Sequence, residues 1–357
     1  MVLFITLASL RLDGKEAGPV GPIIPVPAVR ISADVPIVKI GEYKLREGRF
    51  APAVVSSGNY IYIIGGVGRG GGTLKSVERF DIRTGATEHF CDLQTPRFSH
   101  QAALIGDRIF VIGGNIEPVS ANTLSTEELA GDARSRSKLL DEVTSEGFPF
   151  SEVVDTVEVI DLQTRSVSQG PRMPAPRAAF ASVTKDTNII VLGGKTVKGF
   201  GRGYSNRTAV LDTKTLRWNS GVPIPFVGET AAVRLDANHF LIGGGYDGKR
   251  VFSDVFAFRE ETGDWVQLPA LCMGRSATTA VLAGKYVLFF GDYSKPEEIL
   301  AYDMITKKSE TFLLGYTESR HAAAIAVGDH IYVIGGKKEK TSEPYALVQE
   351  FVLRGKR

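Results

Sequence analysis

A run of four or five apolar residues ending in two glycines recurs along this chain. It reads YIYIIGG at 60–66, RIFVIGG at 108–114, NIIVLGG at 188–194, NHFLIGG at 238–244 and HIYVIGG at 330–336, with a variant, YVLFFGD, at 286–292. Almost every position of the run is apolar, so the strand it predicts is buried on both faces. The glycines end it where the backbone turns left-handed or comes close to a neighbour. A small-residue run and a short turn precede each copy, predicting a first strand hairpinned to it. Downstream, SVERFDI at 76–82, TVEVIDL at 156–162, TAVLDT at 208–213, DVFAFRE at 254–260, EILAYDM at 298–304 and LVQEFVL at 347–353 predict a third strand. Segments such as ATEHFCDL at 86–93, TLRWNSG at 215–221 and GDWVQLP at 263–269 predict a fourth.

Four short strands per unit, no intervening helix and a period of about 48 residues are what a propeller blade needs. The apolar run with its glycine pair, the aromatic-Asp of the third strand (Phe80-Asp81, Tyr302-Asp303) and a Trp six residues after that slot (Trp218, Trp265) resemble the Kelch repeat. The resemblance covers residues 37–353 and implies an all-β, six-bladed Kelch-type propeller. It departs from the pattern at Asp292, which replaces a glycine, and at Arg259 and Val352, which replace the third-strand Asp. The sixth unit lacks a fourth strand, and VPIVKIGEYKL at 35–45 has the length and apolar content to supply it from the N-terminal side. Such pairing leaves no open edge between first and last blade. The domain reading is therefore a Pro-rich extension over 1–34 and a propeller over 35–357.

The second unit is longer than the others by about 30 residues, all of them in the loop after its glycine pair, and long loops of this kind are usually functional. Within this insertion, 115–154, Ser125 and Glu128 form a capping box, and Leu129, Ala133, Leu139, Leu140 and Val143 share an apolar side. One or two short helices are expected there. Between Glu117 and Glu152 it holds eight acidic and three basic residues, so it complements a basic surface.

Composition narrows the partners. Net charge is +2, hydrophobic content 43% and aromatic content 9%, without the overall basicity of a nucleic-acid binder. Cys91 and Cys272 provide neither a disulfide framework nor metal-ligand spacing, and the five histidines are not clustered. The apolar start MVLFITLASL is too short to span a membrane and lacks a basic flank. A cytoplasmic protein is expected, with export through a poor signal peptide as the alternative. No cofactor is implied.

Candidate chemistry sits at a fixed distance from the glycines. Arg49, Arg97, Arg177, Arg275 and Arg320 lie 15 or 16 residues ahead of their glycine pairs, and the fourth unit has Val227-Gly228-Glu229 at that place. In a Kelch propeller this slot opens the strand that lines the central channel. Two readings stand. The guanidiniums form a ring that receives a carboxylate, as equivalent arginines do in several Kelch adaptors, or they hydrogen-bond turns of neighbouring blades. The loops after the first and third glycine pairs add Arg69, Lys195, Lys198, Arg202 and Arg207 with no acidic residue, so this face should attract anions. The reading that results is a binding protein for an acidic peptide or protein. The architecture also resembles bacterial sialic-acid mutarotase, which implies a cofactor-free isomerase of a small acidic sugar. That family's Glu beside the third-blade glycine is Gly194 here, Arg207 matches its arginine, and Glu229 is the substitute acid or base.

Overall fold

The computed structural model describes residues 37–118, 151–198, 201–313, 315–338 and 343–353. Six four-stranded antiparallel sheets make up a six-bladed β-propeller. The second strands are the expected apolar runs, Tyr60–Ile64, Arg108–Ile112, Asn188–Leu192, His239–Tyr246, Tyr286–Phe290 and His330–Ile334. The first strands, Ala53–Ser57, Gln101–Ile105, Ala181–Lys185, Ala231–Arg234, Thr279–Ala283 and Ala323–Val327, neighbour one another in chain order, and the sixth returns to the first. They enclose the central channel.

Each junction between neighbouring blades has its own apolar core. Val55, Tyr62, Ile64 and Phe90 of blade 1 pack on Ile109, Val111 and Ile160 of blade 2, and five further clusters repeat this around the ring. An inner strand is therefore sandwiched between two blades. That is why its sequence is apolar throughout instead of alternating. The two tryptophans pin the connections that enter their blades: Trp218 Nε1 donates to the Pro171 carbonyl and Trp265 Nε1 to that of Pro223, both at 2.9 Å.

The last sheet is completed by Ile37–Lys44, which runs antiparallel to Leu347–Leu353 from Ile37 opposite Leu353 to Lys44 opposite Leu347. A buried carboxylate locks this pairing. Glu350 accepts Tyr43 Oη at 2.6 Å, Tyr332 Oη at 3.0 Å and lies 2.6 Å from His330 Nδ1. Burial alone would raise the pKa of Glu350, but the hydrogen bonds from Tyr43, His330 and Tyr332 outweigh it and hold the carboxyl below its ordinary 4.5.

In the third blade the loop after the glycine pair is a hairpin, Lys195–Lys198 paired with Gly201–Tyr204. The ends of the second-blade insertion pair as Asn115–Pro118 with Ser151–Val153. The helices expected within the insertion fall on 119–150, and the N-terminal extension falls on residues before 37; both lie outside the described residues. Among the described residues no helix is long and apolar enough to cross a membrane.

Glu350→Gln should lower the urea midpoint by the equivalent of about 2 kcal/mol at neutral pH, since it removes charge-assisted bonds from both chain ends. Because the folded pKa is depressed, the stabilisation is complete above about 4.5 and is lost as pH falls through the folded value. The wild type should therefore lose stability on acidification more steeply than the variant. Parallel pH profiles for the two proteins would contradict this role.

Candidate functional site

The glycine pair and the arginine slot are two halves of one inter-blade junction. At four junctions the second glycine's N–H donates to the slot carbonyl of the next blade, Gly66 to Arg97, Gly114 to Arg177, Gly194 to Gly228 and Gly336 to Arg49, and in blade 4, where a register shift moves the turn one residue past the Gly243-Gly244 pair, Gly245 donates to Arg275, all at 2.7–2.8 Å. At the first junction Gly65 and Gly66 have φ of 57° and 99°, and a Cβ on Gly65 would lie 2.5 Å from the Arg97 carbonyl oxygen. Glycine is required there by conformation and by space.

The slot side chains turn inward, and this corrects the expectation of an open arginine ring. Arg49, Arg97 and Arg275 are 0% exposed and Arg177 is 4% exposed. Each donates through Nη1 to two carbonyls of its own blade: Arg49 to Gly65 and Ser76, Arg97 to Gly113 and Thr156, Arg177 to Gly193 and Arg207, Arg275 to Lys295 and Glu298. A guanidinium spent on the turn carbonyls has no face left for a ligand. Of the two sequence readings, turn binding describes these four, with the correction that the turns belong to their own blades and not to neighbouring ones.

Burying a cation demands a counter-charge. Glu78 meets Arg49, Glu158 meets Arg97 at 2.5 Å, and Glu298 reaches Arg275 at 3.5 Å. Glu78 also accepts the N–H groups of Arg46 and Glu47, and Glu158 those of Gln94 and Thr95. In blade 6 both charges are gone together: the slot is Ser319 and the carboxylate is Gln349, whose Oε1 accepts Thr317 N–H at 2.7 Å. In blade 4 the slot is Gly228 and strand register puts Phe256 at the acid position. Blade 3 keeps the cation alone, because Ala209 stands at the acid position. Burial, with the charge of Arg207, pulls the Arg177 pKa down to about 10.

Arg320 is a different case. It lies one residue past the slot, bridging Lys337 as Phe50 bridges Val67 and Phe98 bridges Asn115. It is half-buried, and its guanidinium sits over the Tyr293 ring at 4.8 Å. Here the channel of about 290 Å³ opens, lined by small residues such as Ala51, Ser99, Ala179, Ala277 and Thr278, with Glu229 and His321 at its mouth. The backbone around the mouth forms a belt. Ala51 N–H donates to His321 O, Ser99 to Ala51, Ala179 to Ser99 and His321 to Ala277, at 2.7–3.1 Å. All five of these residues hold positive φ of 49–55°, which turns their N–H groups along the ring. Blade 4, with Glu229 bound through its N–H to Tyr246, is not in that belt.

The cations converge on one imidazole. His321 Nε2 is 2.8 Å from Tyr293 Oη. Burial first, then the positive charges of Lys195, Arg320 and Lys337, push its pKa down to about 3. Lys195 pairs with Glu229 at 3.2 Å, and Lys337 Nζ lies 4.1 Å from the Phe50 ring centroid. Lys195, Arg320 and the 6%-exposed Lys337 thus bring positive charge close to His321, which with Glu229 and the small side chains lines the channel.

Residues 144–336, more than half of the chain, match the KLHDC2/KLHL20/DRC7 Kelch-repeats domain, and residues 48–86 match the Kelch motif. The chain belongs to the Kelch-repeat family. It is 26% identical to Kelch-like protein 40 of Xenopus laevis over 50% of this chain and 30% of that protein. It is 24% identical to acyl-CoA-binding domain-containing protein 4 of Arabidopsis thaliana over 71% of this chain and 36% of that protein. With Kelch-like protein terF of Aspergillus terreus it shares 25% identity over 72% of this chain and 53% of that protein. The chain thus matches between about a third and half of the length of these relatives.

The remaining candidates of this Kelch propeller are spread over its face. Arg69 is exposed in a 3₁₀ turn, its Nε 3.9 Å from Glu343. Lys198 and Arg202 stand on the third-blade hairpin, opposite Gly201 and Val197. Arg207 is exposed, and its carbonyl is what Arg177 binds. The mutarotase resemblance has no support at Gly194: its φ is 91°, and a Cβ there would lie 2.6 Å from Phe180 Cβ, so no glutamate fits. Sequence reasoning did not single out Tyr293. The Asp292 departure was its signal, since that carboxylate caps the turn by accepting N–H groups of Ser276, Ser294 and Lys295 and so sets Tyr293 facing His321.

Arg97→Met and Arg177→Met should separate in cost. The first strands the buried Glu158 carboxylate, costing about 3–5 kcal/mol. The second leaves only two carbonyls unmet, costing about 1–3 kcal/mol. Urea unfolding midpoints compare them, and equal losses would show that the carboxylate partner does not set the difference.

Proposed function

We propose that this chain is a Kelch interaction module whose channel mouth takes a carboxylate-bearing peptide segment of a protein partner. The observation that carries the reading is the packing around His321: Tyr293 Oη lies 2.8 Å from its Nε2, the Tyr293 ring holds Arg320 at 4.8 Å, and the Phe50 ring, 6.2 Å from the imidazole, carries Lys337 Nζ at 4.1 Å. Arg320 offers a planar fork suited to a carboxylate, while Lys195 and Lys337 act as point charges beside it. Such a cluster speeds encounter with an acidic partner and loses strength as salt screens it over a Debye length of about 10 Å. The four buried arginines hold the blades that position this cluster. The Kelch relatives support a protein-interaction role in general; the acidic preference rests on the mouth alone.

A fluorescein-labelled hexaglutamate peptide should bind in fluorescence anisotropy, and a hexalysine control should not. Arg320→Glu should weaken the complex about tenfold or more, the loss expected for one charge-assisted contact. Binding that survives Arg320→Glu together with Lys337→Glu, or that is equal for both peptides, would end the reading.

His321 offers an independent reporter. With its folded pKa near 3 against an ordinary 6.5, it stays neutral at pH 5 in the free protein. Protonation of the unfolded chain below about 6.5 therefore erodes stability as pH falls toward 3. A bound carboxylate offsets the surrounding cations and should raise the His321 pKa, seen as an upfield-to-downfield titration of its ring proton by NMR. A titration curve that saturating peptide leaves in place would argue against occupancy of the mouth.

A further inference from the structure

The mouth is chemically lopsided. Among the described residues nine large hydrophobic side chains are exposed, and six of them, Val197, Val222, Val227, Val251, Tyr293 and Leu313, sit at the channel-mouth ends of blades 3 to 5 or on the connections that leave them. Blades 6, 1 and 2 contribute no such residue on that face among the described residues, whereas Arg320 and Lys337 come from blade 6. Val227 and Val251 flank an aromatic pair, Phe226 and Phe252, whose centroids are 4.7 Å apart. Val197 is 49% exposed and shares its strand with Lys195, and Tyr293, 44% exposed, shares its ring face with Arg320. Apolar and cationic groups are thus joined through two common elements. Scattered exposed hydrophobics need no explanation, but among the described residues these are grouped on one side of one face, two of them on the elements that carry Lys195 and pack Arg320, which singles this side out as an interaction surface.

We propose that this arc is a second, apolar anchor of the mouth, and that the partner is a peptide segment carrying bulky apolar side chains next to its acidic group. The inference rests on the reading of the mouth given above. The acidic group sits over the channel at Lys195, Arg320 and Lys337, and the apolar side chains lie across Val197, Val227 and Val251. Charge fixes which end of the segment lies over blade 6, and the arc fixes the direction in which it continues. Acidic segments without apolar neighbours are bound by the first anchor only.

The test uses the whole chain and three fluorescein-labelled peptides: Glu-Glu-Glu-Leu-Leu-Phe, its reverse Phe-Leu-Leu-Glu-Glu-Glu, and Glu-Glu-Glu-Ser-Ser-Ser. At least one mixed peptide should bind about tenfold tighter than the serine peptide, the gain expected from covering parts of two or three apolar side chains. Val227→Ser with Val251→Ser should remove that gain without changing the affinity for the serine peptide. Leu216→Ser, an exposed leucine between a third and a fourth strand, serves as the control and should change neither. Circular dichroism melting checks that each variant is folded. If all three peptides bind equally, or the paired variant keeps the gain, the apolar anchor is rejected while the acidic mouth stands. If none binds, the mouth reading fails and this inference with it. Concentration-dependent dimerisation that the paired Val variant abolishes would show the arc to be covered by a second copy, which also overturns the proposal.

Discussion

The inter-blade angle in this propeller rests on one bond at five of its six junctions, from a glycine N–H at the end of the inner strand to the carbonyl of the slot residue in the next blade. The bulk of each blade-to-blade contact is an apolar face, which attracts without specifying angle or register. The polar junction supplies that specification. It places the turn of one sheet against the entry of the next, and the slot arginine then ties the same point back into its own sheet. One residue therefore couples two blades, by its backbone on one side and its side chain on the other.

That double use explains the pattern of charges. The fully buried guanidiniums of blades 1 and 2 meet carbonyls and a carboxylate, so there the arginine and its glutamate appear together. Blade 6 loses both, as Ser319 and Gln349, and blade 4 loses both, as Gly228 and Phe256. Blade 5 keeps the pair with the acid moved to Glu298. In blades 3 and 4 a proline stands three residues before the slot, at Pro174 and Pro225, so the N–H that Glu78 and Glu158 accept in blades 1 and 2 is absent along with the acid. In blades 4 and 6 donor and acceptor have gone together, whereas blade 3 has lost only the acid and keeps Arg177 on carbonyls alone.

In the proposed reading, function falls to the residues one step away from the junction. Arg320, Lys337 and Lys195 are close enough to the channel to hold His321 neutral, and they stand where blades leave an opening of small side chains. Kelch propellers share this architecture while binding different things, because the ring is set by junctions and the ligand by what the mouth-side loops carry. In this chain the loops carry cations toward blade 6 and apolar side chains toward blades 3 to 5.

The sequence by itself determined the blade count, the strand order within a blade and the strand that completes the last sheet. These follow from local periodicity and from glycines at fixed spacing, which are one-dimensional signals. It also placed Arg49, Arg97, Arg177 and Arg275 at one repeated position, but could not say which way they point. Arg320 shows why: it differs from them by a single residue of offset, invisible against the small length variation between repeats, yet that offset exchanges a buried staple for a half-buried cation stacked on Tyr293. Likewise Asp292 looked like a damaged glycine and is a turn cap. Burial and direction depend on the neighbouring blade, about 48 residues away in a chain of this period. Only the closed ring brings those neighbours together, so only the tertiary structure decided which arginines are buried as staples and which one stays half-buried beside the channel.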